Sequence, residues 1–296
     1  MIFSNPVVEN SNYMQSSVKK PTDEQYAKFK ALVENQLGLD WSKEKKYLLH
    51  GRLNTRLFEL GINYDEYYEL LIKDRSNREI ELFYNFITTN KTEFYREPAV
   101  FIWIRENIIP ALREEIVNGL RGKIRFWSAG CSTGEEAYSL SFETQALAGM
   151  LSDVSNGYKI LATDINTQAL VAAHKGIYNQ EDINNLSLPI LNKYFIHTPS
   201  SGKMITTYMI KDFIKNLIQF RILNFLDKNY PIATNFDIIL CRNVLYYFKD
   251  DVREKIFKKL IDYLSPGGYL ILSGTETGHR IKSATKIRPN IFKKTH

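Results

Sequence analysis

Apolar positions between residues 21 and 90 recur at helical spacing. The predicted helices run from the Thr22 N-cap to Gly38, from Ser42 to Leu60, from near Tyr64, and from Arg78 to Ile87. The predicted apolar side of the second helix consists of Tyr47, Leu48, Leu53, Leu57 and Leu60. This pattern predicts an all-helical N-terminal domain over residues 21–90, after a disordered leader of residues 1–20.

From Arg96 onward, short apolar runs alternate with helical patterns. Strands are predicted at Lys123 to Ser128, Lys159 to Thr163, Ile218 to Leu223, Phe236 to Cys241 and Tyr269 to Ser273. Helices are predicted at Glu135 to Met150, Thr167 to His174 and Asp250 to Leu264. This alternation is typical of an α/β fold with a doubly wound, mostly parallel, Rossmann-like sheet over residues 91–296.

The alternation of strand and helix patterns is interrupted over residues 190–216. The pattern there predicts a small antiparallel β-subdomain. Its two strands are expected at Tyr194 to His197 and at Met204 to Ile210, around the turn Pro199-Ser200-Ser201-Gly202.

Composition excludes several classes of protein. The 296 residues are 44% hydrophobic and 13% aromatic, which excludes a disordered chain. Two cysteines, Cys131 and Cys241, favour a reducing compartment over a disulfide scaffold. No apolar run is long enough to span a bilayer, and the N-terminus lacks a signal pattern. We therefore expect a cytoplasmic protein without membrane insertion, and no metal site is predicted.

The net charge of +6 is unevenly placed. Residues 277–296 hold six of the 39 basic side chains and no acid, so the remaining 33 balance the 33 acidic ones. Within that neutral body, residues 41–56 hold five basic side chains against Glu44 alone. Both patches are consistent with solvated surface or with an acidic partner.

The loop from Phe126 to Glu136 follows a predicted strand and opens a helix, where an α/β sheet presents its ligand crevice. Its glycines, Gly130 and Gly134, do not form the G-x-G-x-x-G pattern, which disfavours a dinucleotide. An acidic loop repels phosphates and suits a cationic or zwitterionic ligand. Alternatively, Thr133 and Glu136 have the spacing of a capping box, so both interpretations stay open.

Polar residues also end the other predicted strands. Asp164 is placed to accept both hydroxyls of a ribose, or to cap the next helix, for which Asn166 is an equal candidate. Asn224-Phe225 and Cys241-Arg242-Asn243 follow two further strands. Because such strand ends meet at one crevice of a doubly wound sheet, these residues are expected in one site.

Five ordered motifs resemble those of the CheR family, the chemotaxis receptor glutamate O-methyltransferases. They are Thr89-Asn90-Lys91-Thr92-Glu93-Phe94-Tyr95-Arg96-Glu97, Trp127-Ser128-Ala129-Gly130-Cys131-Ser132-Thr133-Gly134-Glu135-Glu136, Ala162-Thr163-Asp164-Ile165, Cys241-Arg242-Asn243-Val244-Leu245-Tyr246-Tyr247-Phe248 and Leu264-Ser265-Pro266-Gly267-Gly268. The resemblance covers about residues 22–292. It implies a methyltransferase that uses S-adenosylmethionine to methylate glutamates on the acidic cytoplasmic helices of chemoreceptors.

The resemblance also implies the site residues. The implied cofactor contacts are Asn90, Thr92, Arg96, Glu136, Asp164, Asn224, Phe225, Arg242 and Asn243. Phe225 stands where the family usually has leucine, so a backbone contact is expected there. Ala137 stands where the family often has proline.

Arg96 and Tyr247 are the predicted catalytic pair. A glutamate carboxylate is already ionised near neutral pH, so methyl transfer from a sulfonium needs no general base. Arg96 is expected to orient the acceptor and Tyr247 to donate a hydrogen bond to it, as the resemblance supports. The alternative for Tyr247 is core packing beside Phe248.

The second helix resembles the family's basic receptor-facing helix (about residues 42–60), which implies that Arg52, Arg56 and Lys46, with Lys45, face receptor glutamates. The predicted antiparallel β-subdomain resembles the one that in some family members binds a receptor C-terminal peptide by strand addition.

The sequence disfavours two other functions. A nucleic-acid methyltransferase is disfavoured because Arg242-Asn243-Val244 replaces an Asn-Pro-Pro-Tyr type motif and the body carries no continuous basic groove, so no nucleic-acid partner is expected. A non-enzymatic S-adenosylmethionine sensor or receptor scaffold is disfavoured by the presence of Arg96, Asp164 and Tyr247.

Overall fold

The structure is a computed structural model that describes residues 18–41, 45–151, 157–199, 206–276 and 282–295. Four helices form the N-terminal part: α1 (Asp23–Leu37), α2 (Lys46–Leu60), α3 (Tyr64–Lys73) and α4 (Arg78–Ile87). They enclose an aromatic-rich core in which Phe29, Tyr67 and Phe83 are fully buried. The predicted all-helical unit is confirmed.

Side-chain caps fix where these helices begin. Thr22 accepts a hydrogen bond from the N–H of Gln25, whose side chain in turn accepts one from the N–H of Thr22. Asn63 and Glu66 form the same reciprocal capping box at the start of α3. These local interactions explain why both helix starts were readable from sequence.

The predicted apolar side of α2 is partly wrong. Tyr47 is 73% exposed and Leu48 is 37% exposed, whereas Leu49, Leu53 and Leu57 are fully buried. The described helix begins at Lys46, and residues 42–44 of the predicted start lie outside the described part. The buried face follows the i, i+4 spacing of Leu49, Leu53 and Leu57, so Tyr47 and Leu48 lie off that face.

A seven-stranded sheet forms the centre of the remaining chain. Its strands are β1 (Ile124–Ala129), β2 (Tyr158–Asp164), β6 (Ile218–Ile222), β7 (Phe236–Leu240), β8 (Leu264–Ile271), β9 (Ala284–Arg288) and β10 (Ile291–Lys294). Their order across the sheet is β6-β2-β1-β7-β8-β10-β9. The first five in this spatial order pair in parallel, and β10 is antiparallel to both neighbours. The mostly parallel sheet predicted from sequence is confirmed.

Helices cover both faces of this sheet, with a separate apolar core on each. They are α5 (Pro98–Trp103), α6 (Ile109–Val117), α7 (Glu135–Ala148), α8 (Thr167–Lys175), α9 (Leu188–Tyr194), α10 (Asp212–Lys215) and α11 (Asp250–Asp262). A π-helical turn, Ile104–Ile108, joins α5 to α6. The sequence pattern predicted α7, α8 and α11 but not α5 and α6. None of the described helices combines the length and apolar character needed to cross a bilayer.

A second, three-stranded antiparallel sheet has the order β3-β5-β4, formed by β3 (Ile177–Tyr178), β4 (Phe195–Pro199) and β5 (Thr206–Ile210). The antiparallel β-subdomain is thus confirmed, and β3 is an addition to it. The predicted turn at 199–202 lies largely outside the described residues, which resume at 206.

The basic C-terminal tail contributes two strands that the sequence pattern did not predict. Ile291 and Phe292 of β10 are buried, and β10 pairs with β8. The Nζ of Lys294 donates to the carbonyl oxygens of Asp262 and Leu264. The hairpin lies at the edge of the sheet, and most of its residues are charged or polar. The apolar pair Ile291 and Phe292 was too short to predict a strand.

Most of the predicted leader, residues 1–17, lies outside the described part. Its last residues contact α2: the N–H of Val18 donates to Asn54 Oδ1, and Lys20 Nζ lies 5.4 Å from the ring centroid of Tyr47.

The helical unit is joined to the sheet by polar contacts. Asn85 on α4 accepts a hydrogen bond from the N–H of Thr167, and its amide donates to the hydroxyl of that residue, each at 2.8 Å. On the other side, the N–H of Asp40 donates to the carbonyl oxygen of Tyr247 at 2.7 Å. These contacts hold α4 and the segment after α1 beside the loops that follow β2 and β7.

Candidate active site

The loop between β1 and α7 depends on glycine at two positions. Gly130 has φ +85°, and a Cβ atom there would lie 2.5 Å from a methyl carbon of Val244. Gly134 has φ +98°, and its Cβ would lie 2.9 Å from that of Ala173. Because both positions are left-handed and crowded, only glycine allows the backbone to turn this closely over the strand ends.

Glu136 does not form the capping box that its spacing allowed. Its Oε1 accepts a hydrogen bond from the Ser128 hydroxyl at 2.7 Å, and its Oε2 lies 3.2 Å from Nη1 of Arg242. Thr133 instead donates to the neighbouring carboxylate of Glu135. Burial raises the pKa of Glu136, and the Arg242 guanidinium opposes that rise. The Glu136 carboxylate is therefore bound by residues at the ends of β1 and β7, and it does not cap α7.

Asp164 also leaves the capping role to a neighbour. Asn166 caps α8 by accepting the N–H of Ala169. Asp164 accepts the N–H of Ser132 at 2.8 Å and that of Asn166 at 2.9 Å. Burial raises the pKa of this carboxyl, and the backbone N–H groups act in the opposite direction. Asp164 is thus fixed at the end of β2 and faces the crevice.

One cavity brings the predicted residues together at the carboxyl ends of the strands. Its lining includes all nine predicted cofactor contacts and the predicted catalytic tyrosine: Asn90, Thr92, Arg96, Glu136, Asp164, Asn224, Phe225, Arg242, Asn243 and Tyr247. The helical unit supplies part of the wall through Leu37, Leu39, Trp41, Lys45 and Leu48. The cavity therefore lies between the two parts of the chain.

Left-handed backbone conformations concentrate around this cavity. Arg96 lies between Tyr95 at φ 52° and Glu97 at φ 54°, and Ser132 and Asn243 have φ 49° and 58°. Such conformations are costly for residues other than glycine and are found where the surrounding structure imposes them, often at functional sites.

Two cationic residues line the same cavity. Arg242 is 4% exposed, donates to the carbonyl oxygen of Arg96, and stacks over the Phe101 ring with 5.4 Å between its guanidinium carbon and the ring centroid. Arg96 itself donates to the carbonyl oxygen of Lys91 at 3.0 Å. Arg242 is therefore immobilised, whereas Arg96 is partly exposed beside the cavity.

Asn224 and Phe225 connect the cavity wall to the helical unit. The Asn224 amide donates to the carbonyl oxygen of Gln36 at 2.8 Å, and its Oδ1 accepts the N–H of Leu226. The Phe225 ring is buried and makes an edge contact with Phe248, with centroids 5.9 Å apart. Because the side chain of Phe225 packs in the core, only its backbone offers polar atoms for the predicted contact with the cofactor.

The three predicted receptor-facing residues do not line the cavity, and all of them have partners within the chain. Arg52 donates to the carbonyl oxygens of Phe86 and Thr88 and to the hydroxyl of Thr89. Arg56 forms a two-pronged pair with Glu79 at 2.9 and 2.6 Å, and Lys46 lies 2.8 Å from Asp23. Lys45 does line the cavity and donates to the carbonyl oxygen of Asp40. Their role toward a partner stays a prediction.

One residue of this region was missed by the sequence reasoning. Glu276 follows β8, is only 4% exposed, and accepts hydrogen bonds from the turn that carries Asn243 and Tyr247. A lone glutamate between Thr275 and Thr277 offered no spacing signal that could have identified it.

Comparison with known proteins decides the family. The family model for the all-alpha domain of CheR methyltransferases matches residues 24–88, and the model for their SAM binding domain matches residues 90–290. The chain belongs to the CheR methyltransferase family. The sequence predicted the family, the methyltransferase activity and the use of S-adenosylmethionine, and all three predictions are confirmed.

Relatives of similar length support this assignment. The chemotaxis protein methyltransferase of Borreliella burgdorferi is 33% identical over 274 residues, covering 92% of this chain and 95% of the relative. That of Escherichia coli is 30% identical over 268 residues, covering 90% and 89%. That of Salmonella typhimurium is 31% identical over 256 residues, covering 86% and 84%.

The CheR cavity has a chemistry that fits S-adenosylmethionine. Its lining carries carboxylates, which suit a ligand with a cationic sulfonium and would repel phosphates. The glycine-containing loop also lets the backbone come close to a bound nucleoside. Asp164 stays the predicted ribose contact, and Glu136 and Arg242, which present one carboxylate and one guanidinium to the cavity, stay predicted cofactor contacts.

Proposed function

We propose that this CheR family member transfers the methyl group of S-adenosylmethionine to glutamate side chains of chemoreceptors, the methyl-accepting chemotaxis proteins. The products are glutamyl methyl esters and S-adenosylhomocysteine, and the reaction serves sensory adaptation. The observation that carries the proposal is the single cavity in which Arg96 and Tyr247 lie together with the predicted cofactor contacts. The relatives' shared name supports the chemotaxis role.

When bound, S-adenosylmethionine supplies a methyl group already activated by its sulfonium. The chain's own residues then have to orient a carboxylate oxygen in line with that methyl group and exclude water. Arg96 would orient the acceptor, and because its guanidinium already donates to Lys91, it would pair with the acceptor only in part. That restraint matters because full neutralisation would weaken the nucleophile.

Tyr247 would complete the acceptor site. Its backbone is fixed by the hydrogen bond from Asp40 and by its own N–H, which donates to Val244. A hydroxyl held on such a turn is suited to donate to the second carboxylate oxygen of the acceptor. Neither Arg96 nor Tyr247 has to accept a proton, because the ionised acceptor brings none.

For the receptor surface, we propose that acidic helices approach the cavity along α2. Lys45 lines the cavity and is the cation best placed for this contact. Arg52, Arg56 and Lys46 would contribute only by exchanging or sharing their present partners, which include the acidic Glu79 and Asp23.

The three-stranded sheet supports a second proposed contact. In its order β3-β5-β4, the strand β4 lies at an edge, where an extended receptor peptide could add a further strand. Deleting residues 198–203 is expected to weaken binding of full-length receptor, and unchanged binding and methylation would contradict this contact. The proposal places the protein in the cytoplasm, where its free cysteines, Cys131 and Cys241, stay reduced.

The decisive experiment is transfer of labelled methyl groups from S-adenosylmethionine to a receptor cytoplasmic fragment, followed by treatment with alkali. A carboxyl methyl ester releases methanol under base, so we expect volatile label. A fragment in which the acceptor glutamates are replaced by glutamine is expected to stay unlabelled, because an amide is not a comparable nucleophile.

Matched variants sharpen this test. Tyr247→Phe is expected to lower kcat. Tyr263→Phe removes a hydroxyl near the start of β7, where the N–H of Phe236 donates to the carbonyl oxygen of Tyr263, and should leave kcat unchanged. No label on the receptor fragment would refute the proposed acceptor, and base-stable label would indicate a different one.

A further inference from the structure

Glu276 is a buried carboxylate that joins two segments of the chain. Its Oε1 accepts the N–H groups of Val244 at 3.0 Å and Tyr246 at 3.2 Å. Its Oε2 accepts the N–H of Asn243 at 3.2 Å, and the N–H and hydroxyl of Ser273 at 3.1 and 2.7 Å. Five donors therefore converge on one carboxylate at the end of β8.

The segment held in this way forms part of the cavity wall. It contains Asn243, whose φ is 58°, and continues into a short 3₁₀ turn, Leu245–Tyr247. The carboxylate lies at the start of that turn, where backbone N–H groups have no partners within the turn itself. A negative charge is favoured at this end, and it offsets the cost of the left-handed backbone at Asn243.

We propose that Glu276 is a positioning residue for methyl transfer, acting through the turn 243–247 to set the place of the Tyr247 side chain. The proposal rests on the proposed function, since it takes Tyr247 as the group that meets the acceptor. Glu276 does not line the cavity, so it acts through the backbone of the turn and not through contact with either substrate.

The physical reason is the number of backbone donors that depend on a single side chain. Removing the carboxylate would leave the N–H groups of Asn243, Val244 and Tyr246 without this acceptor in a partly buried place, which favours a rearranged turn. A shift of about 1 Å in a catalytic group can cost roughly 100-fold in rate. Glu276→Gln is the sharpest variant, because it keeps the shape but replaces one accepting oxygen with a donor.

The test is a double-mutant cycle on kcat with wild type, Glu276→Gln, Tyr247→Phe and the double variant, using the labelled-methyl assay. We expect Glu276→Gln to lower kcat roughly 10- to 100-fold in the wild-type background. In the Tyr247→Phe background, the same change should lower kcat less than about threefold, because the group being positioned is already lost. Equal effects in both backgrounds would overturn the proposal.

A second measurement does not depend on the acceptor. Amide hydrogen exchange should show faster exchange over residues 243–247 in Glu276→Gln, and unchanged protection there would overturn the proposal even if the acceptor is not a glutamate. The matched control is Asp237→Asn, another buried carboxylate, which accepts the N–H of Arg125 and pairs with Arg121 at the opposite end of β7. It should lower stability while kcat and exchange over 243–247 stay as in wild type.

Discussion

Nη1 of Arg242 lies 3.2 Å from Oε2 of Glu136, although 106 positions separate the two residues in the chain. Glu136 lies in the first turn of α7, after β1, and Arg242 follows β7, so the pairing of β1 with β7 brings them together. Both side chains are largely buried, at 1% exposure for Arg242 and 11% for Glu136. The pair therefore lines the cavity beside two neighbouring strands.

Breaking this pair is expected to destabilise the fold. Glu136→Ala would leave the buried Arg242 guanidinium with only its longer ion pair to Glu97, at 3.8 Å, and losing the close partner of a buried charge costs about 3–5 kcal/mol. Urea denaturation should show this decrease in the free energy of unfolding. The exposed pair of Glu69 and Lys73 is the control, since Glu69→Ala should cost less than about 1 kcal/mol. A decrease equal to that control would show that the buried pair contributes little.

Glu135 predicts a dependence of stability on pH. Burial raises its pKa from 4.5 to about 7, so the folded state binds a proton more tightly than the unfolded state does. The free energy of unfolding should then decrease as the pH rises from about 4.5 to about 7 and level off above that. At about 1.4 kcal/mol for each pKa unit, the total loss is on the order of 3 kcal/mol.

Glu135→Gln should remove this part of the pH dependence. The variant should be more stable than wild type at pH 8 and nearly equal to it at pH 4.5, as measured by denaturant unfolding at each pH. Glu24→Gln changes an exposed carboxylate, 84% exposed, and should leave the wild-type slope in place. A wild-type slope that persists in Glu135→Gln would assign it to other groups.

Substitution of Gly130 should impair cofactor binding more than folding. Gly130→Ala introduces a Cβ at a left-handed position, costing about 1–2 kcal/mol, and places it 2.5 Å from Val244. Calorimetric titration with S-adenosylhomocysteine should show at least tenfold weaker binding. Adding Val244→Ala should recover part of the affinity, since it removes the contact but not the backbone cost. Full affinity in Gly130→Ala would mean that the loop accommodates the methyl group.

The two arginines of α2 should behave differently. Arg52 donates to the segment 86–89, which leads directly to the cavity residue Asn90, so Arg52→Ala should weaken binding of S-adenosylhomocysteine about tenfold, near 1.4 kcal/mol. Arg56 pairs with Glu79 within the helical unit, so Arg56→Ala should lower the thermal unfolding temperature while leaving that affinity unchanged. Equal affinity losses in both variants would contradict this division.

The local pattern determined much of this protein. Capping residues such as Thr22 and Asn63 and the spacing of apolar positions depend on neighbours within a few residues, so four helices and the five parallel strands were readable directly. The ordered motifs determined the family and nominated the cavity residues, because these residues follow strand ends that a parallel sheet brings to one edge.

Tertiary structure alone decided which polar side chains are committed to other parts of the fold. The basic face of α2 was visible in the sequence, but Arg52 donates to residues 34 to 37 positions away, and Arg56 pairs with Glu79, 23 positions away, as well as with the nearby Glu59. Glu276 meets the turn at Val244 across 32 positions, and the C-terminal hairpin is defined by its pairing with β8. Such long-range contacts leave no periodic pattern in the chain, because their residues become neighbours only when the strands align.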